Sequence, residues 1–139
     1  MNDGPESDYS SKNNYNYKKE VNLKFEEAVD KVKENLKEES FGVLTEIDVK
    51  AALKSKLNVD FDKYVILGAC NPSFAYKALQ AERDIGLMMP CNVIVYEQEG
   101  KVVVSAIMPT VAMDMIDNAQ LELIAGQVEE KLKKVVDMM

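Results

Sequence analysis

Tyr64-Val65-Ile66-Leu67-Gly68-Ala69-Cys70 is an apolar run without polar alternation, and Asn71-Pro72 follows it at once. A strand of this kind lies centrally in a sheet or is covered on both faces, because a wet face would carry polar residues at every second position. Asn before Pro then opens a helix: Asn offers a capping acceptor, and proline at the first helical position has no N–H to lose. The chain is thereby committed to a sheet whose core strand runs straight into a helix.

The other elements follow from periodicity. Tyr15, Tyr17 and Val21 roughly alternate, as a first strand would. Over 24–39, Phe25, Ala28, Val29, Val32 and Leu36 draw one helical stripe, with Asn22 as its expected cap. A strand is predicted over 41–47, then a short helix capped by Asp48 with Val49, Leu53 and Leu57 in line. The helix after Pro72 turns Phe74, Ala75, Ala78 and Leu79 inward. Residues 93–97 and 102–107 are β-branched runs around Gly100, the pattern of a hairpin. Leu121, Ile124, Ala125, Val128, Leu132, Val135 and Val136 give the last helix a single apolar face. The order β-α-β-α-β-α-β-β-α describes an α/β domain of the α+β type. It has two layers, about five strands in the sheet, and helices mostly on one face.

At 139 residues the chain is one domain long and can bury a core without staples. Residues 1–13, polar and without apolar periodicity, are expected to form a mobile tail, leaving 14–139 as the domain. The net charge of −7, with no isolated basic cluster, argues against nucleic acid as a partner. The longest apolar runs, 64–70 and 85–90, fall far short of the ~18 to 20 residues that span a bilayer. No secretory signal pattern opens the chain, and two cysteines cannot form a dense disulfide framework, so a cytoplasmic protein is expected. There is no histidine, which removes Ser-His-Asp and Cys-His catalysis, His-ligated zinc and the usual near-neutral base.

What remains is a location. Cys70 ends one strand, Cys91 begins another, and each is followed by Asn. If these ends are neighbours, Cys70, Asn71, Ser73, Phe74, Cys91 and Asn92 line one ligand pocket, with the N–H groups of Ser73 and Phe74 available to an anion. A helix start beside Cys70 would favour its thiolate, which opens a thiol or redox reading. Met88, Met89, Met108, Met113 and Met115 surround the second segment; thioether with thiolate suits Cu(I), whereas core filling or a dimer contact accounts for methionine more simply. No cofactor is assigned, and no pair of acids offers a general acid or base.

Gly68-Ala69-Cys70-Asn71-Pro72, Ala75-Tyr76-Lys77-Ala78-Leu79, Ile85-Gly86-Leu87 and Pro90-Cys91-Asn92-Val93 resemble the domain of unknown function 302 family. Phe25-Glu26-Glu27-Ala28-Val29, Phe41-Gly42-Val43-Leu44 and Val104-Ser105-Ala106-Ile107 extend the likeness over everything after the tail. The resemblance implies a small α/β domain and a homodimer, and brings no agreed activity or catalytic residue. Two positions depart from the pattern: Lys24 stands where a capping Ser is expected, and Met108 where an Asp often stands. The reading is a non-enzymatic, dimeric module for a small-molecule or anionic ligand, its dimer surface supplied by the last helix and residues 108–116. A thiol-dependent redox protein is the alternative, and a copper-binding protein a further one.

Overall fold

The computed structural model describes residues 14–139, so the tail expected over 1–13 lies outside the described residues. The elements are β1 (Asn16–Val21), α1 (Phe25–Glu38), β2 (Gly42–Asp48), α2 (Val49–Leu57), β3 (Tyr64–Cys70), α3 (Pro72–Ala81), a 3₁₀ turn (Arg83–Met88), β4 (Cys91–Gln98), β5 (Lys101–Ile107), α4 (Pro109–Ala112) and α5 (Ala119–Asp137). The order matches the one read from periodicity, with two short additions, the 3₁₀ turn and α4. The strands form one sheet in the order β1-β5-β4-β3-β2, every neighbouring pair antiparallel. β3 is indeed interior, with β4 and β2 on its flanks.

Alternation along the strands decides which side chains meet the helices. Val65, Leu67 and Ala69 of β3, Val93 and Val95 of β4, and Val102, Val104 and Ala106 of β5 are buried in one core with the stripes of α1 and α5. The hairpin closes through Glu99 (φ 52°) and Gly100 (φ 80°); two left-handed residues make the two-residue turn whose twist suits antiparallel strands.

Several local details differ from the sequence reading. The cap of α1 is Lys24 rather than Asn22, and no side chain caps the helix; only the Glu27 carboxylate returns a bond, accepting the Lys24 N–H at 3.2 Å. The missing Ser therefore removes a helix cap. Asp48 caps α2 as expected, accepting from the Ala51 N–H at 2.9 Å, yet α2 contributes no buried residue and Leu57 is exposed. Asn35 interrupts the apolar face of α1, 1% exposed, and donates to the Val135 carbonyl at 3.1 Å. That bond ties α1 to α5 across the core.

Gly126 sits inside α5 with nothing within 4 Å of where a Cβ would stand. Glycine costs a helix interior about 0.5–1 kcal/mol relative to alanine. Gly126→Ala is thus expected to stabilise the fold by about that amount, read as a raised urea midpoint at unchanged slope.

Candidate functional site

Ala69 is the cross-strand partner of Cys91 and Gly68 that of Asn92, so the two Cys-Asn segments lie side by side at one end of the sheet. Between them in sequence run α3, the 3₁₀ turn and the cis Met89–Pro90 peptide, which return the chain to that end. Met88, Met89 and Met113 pack with Ala78, Ile85 and Leu121 into a second apolar cluster beside the main core.

A cavity of about 50 Å³ occupies the seam between the two clusters. Cys70, Asn71, Phe74 and Cys91 line it, joined by Met89 and Met113. A larger hollow of about 310 Å³ adjoins it and shares Met89, Pro90, Cys91, Pro109 and Met113. Asn92 faces this outer hollow, not the inner cavity. Ser73 lines neither and is exposed. Of the inward residues expected on α3, Phe74, Ala75 and Ala78 line the cavity while Leu79 is exposed.

Asn71 is the N-cap residue of α3 and Pro72 its first residue, but the side chain does not cap the helix. Its Nδ2 instead donates to the Glu39 carbonyl at 3.4 Å, just past the end of α1, where helix carbonyls lack intrahelical partners. The amide is used to hold α1 to α3. The inner cavity is otherwise walled by carbon and sulfur, which suits an uncharged guest better than an anion.

Both cysteines are free. Burial, helped by the neighbouring Cys70, pushes the Cys91 thiol up to about 11, so at neutral pH it is protonated and inert as a nucleophile. Among the described residues no group of three or more His, Cys, Asp or Glu side chains is placed to hold a metal. No helix of the described residues is long and apolar enough to cross a membrane.

The departure at Met108 is also a matter of capping. Met108 is the N-cap of α4 and makes no side-chain bond there. Glu129 reaches across from α5 in its place, accepting from the Thr110 N–H at 3.0 Å and the Thr110 hydroxyl at 2.7 Å. A carboxylate at 108 would serve that helix end, with no catalytic role needed to account for it. Sequence reasoning missed Glu129, whose only signal is an acid beside Val128 on an otherwise apolar face. The stripe of α5 is buried within the chain, leaving Val111, Met115 and Leu123 as the exposed apolar residues of the segment expected to dimerise.

An antiparallel five-stranded sheet carrying two long helices on one face, with an apolar cleft where β3 and β4 meet, defines the class of protein: a small α+β domain with an open sheet. Residues 17–139 match the family model described as Domain of unknown function DUF302. The chain belongs to that family. It is similar to the crystal structure of an uncharacterized conserved DUF302 protein from Bacillus stearothermophilus, at 31% identity and a TM-score of 0.84. The likeness covers 88% of this chain and 96% of that one. Comparison with curated proteins returns no match.

Proposed function

We propose that this DUF302 protein is a non-enzymatic, cytoplasmic homodimer that binds a small apolar molecule in the cleft between the Cys70-Asn71 and Cys91-Asn92 segments. The observation that carries the reading is the convergence of Cys70, Asn71, Phe74 and Cys91 on one apolar cavity continuous in its lining with a 310 Å³ hollow. Ligand sites are concave and mostly apolar, with a few polar groups that orient the guest. Here Asn92 at the outer hollow is such a group. The inner cavity alone, about 50 Å³, is far smaller than the ~150 Å³ that accepts benzene, so the body of the guest lies in the outer hollow.

Indole is a suitable probe. At a hundredfold excess over its dissociation constant it is expected to stabilise the fold by about 2.7 kcal/mol, visible as a raised melting temperature. Ala112→Phe, which fills the outer hollow from its edge, should abolish the rise. No rise with the wild-type chain, or the same rise with Ala112→Phe, contradicts the reading. For the dimer, Val111, Met115 and Leu123 supply the exposed apolar surface, and a protomer mass by light scattering at tens of micromolar would contradict it.

A second reading draws on the four sulfurs of Cys70, Cys91, Met89 and Met113 lining the one cavity. Soft donors select soft ions, so Cu(I) is the alternative guest. Retention of one Cu(I) per chain against bicinchoninate, lost in Cys70→Ser and Cys91→Ser, would favour it over an apolar ligand. The thiol-redox alternative rests on Cys70 alone, since Cys91 is held protonated.

A further inference from the structure

The face of the sheet turned away from the core carries a second concentration of chemistry. Tyr64 of β3 and Tyr96 of β4 are cross-strand partners whose rings stack at 5.4 Å with 12° between their planes. Phe61 leans against Tyr64 at 6.3 Å and 48°. Tyr15 supplies a fourth ring, and all four line one hollow of about 310 Å³, within the range of small-molecule sites. Four of the chain's ten aromatic residues (six Tyr, four Phe) are thus gathered around it. Tyr15 and Phe61 are 52% and 44% exposed, so packing of the core does not account for their placement.

The charges around the hollow choose among guests. Asp62, Glu97 and Lys18 line it, a balance of −1 within a chain of −7. The Lys18 ammonium stands 5.9 Å from the centre of the Tyr96 ring and donates to its hydroxyl at 3.3 Å. The two distances place this ammonium beyond the hydroxyl and close to the ring plane, so it does not occupy a ring face, and it is the faces, negative in the aromatic quadrupole, that attract a cation. An anionic guest would meet two carboxylates, and a neutral one would gain only contact area.

We propose that this hollow is a binding site, separate from the cleft at the sheet end, for a small organic ammonium ion held against the faces of Tyr15, Phe61, Tyr64 and Tyr96 with Asp62 and Glu97 as its counter-charges. Ring faces bind alkylated ammonium groups because such ions carry charge with little hydration to lose. The ring faces supply most of the affinity, and the carboxylates its sign.

Choline and its neutral carbon isostere 3,3-dimethylbutan-1-ol separate charge from shape. Titration of the full chain, followed at the Tyr64 and Tyr96 amides by NMR, is expected to show choline binding at least about tenfold more tightly. Tyr96→Leu should lose about tenfold and Tyr96→Phe should retain binding, since phenylalanine keeps the ring face. Asp62→Asn, at an exposed position, is expected to weaken choline about threefold without touching the core. Equal binding of the neutral isostere would make the hollow a mere apolar groove and overturn the proposal. So would the absence of binding by choline, or a choline-insensitive dimer whose contact buries Tyr64 and Tyr96. None of these outcomes bears on indole in the other cleft.

Discussion

Replacing Gly68 with valine is expected to lower the unfolding free energy by about 3 kcal/mol or more. Gly68 lies inside β3, and a Cβ built there runs into the Thr45 Oγ1 and comes within 2.8 Å of the Pro90 Cγ. The threonine hydroxyl can rotate away; the proline ring, fixed between Met89 and the first residue of β4, cannot. Valine adds two methyl groups to that collision, so Pro90 must be pushed off the face of β3 at the end that forms the cleft. Gly42→Ala is the control, because the alanine methyl group would meet nothing nearer than the Cys70 carbonyl oxygen at 4.0 Å. Urea melts should show a large fall in midpoint for Gly68→Val and almost none for Gly42→Ala. Comparable behaviour of the two would mean that the strand end is not held as tightly as described.

Cys91 is expected to react with iodoacetamide at neutral pH roughly a hundredfold more slowly than an ordinary thiol. Its folded-state value is raised from 9.0 to about 11, and only the thiolate attacks, so two pH units of displacement cost two powers of ten in reactive form. Mass spectrometry of the Cys91 peptide reads the rate directly, and a rate like that of an unfolded thiol would contradict the enclosure of this residue. The same displacement makes stability depend on alkaline pH. Below pH 9 the thiol is protonated in both folded and unfolded chains and contributes no difference. Between 9 and 11 the unfolded thiol ionises while the folded one resists, so stability falls as pH rises, by about 3 kcal/mol over that window. Cys91→Ser should show a flatter alkaline limb.

The elements with a strong period were legible in the sequence. The stripes of α1 and α5 are buried as their spacing demands, and the β-branched runs around Gly100 form the hairpin. The site was legible in part, because a strand that ends in Cys70 and one that begins at Cys91 needed only antiparallel pairing to meet. What the pattern could not carry was the use made of polar side chains. Asn71 has the residue type and place of a helix cap, but the end of α1 lies within reach and takes its amide. Asn35 and Glu129 interrupt apolar faces, and their partners, the Val135 carbonyl and Met139 sulfur for the one and the start of α4 and Lys133 for the other, become visible only in the fold. α2 shows the converse, a spacing that aligns Val49, Leu53 and Leu57 without a core to receive them. The aromatic hollow left little local signal: Phe61 and Tyr64 are near in sequence, but Tyr64 meets Tyr96 through the β3–β4 register and Tyr15 comes from just ahead of β1.

The central claim is that the two Cys-Asn segments enclose an apolar binding cleft, and the eight methionines offer a direct reporter of it. With the methionine methyl groups labelled with ¹³C, indole titrated into the wild-type chain is predicted to shift Met88, Met89 and Met113, which line the cleft, along one saturable curve. Met138, at the far end of α5, should stay in place. Cleft methyl groups that remain unmoved at millimolar indole, or that move no more than Met138, would contradict the account.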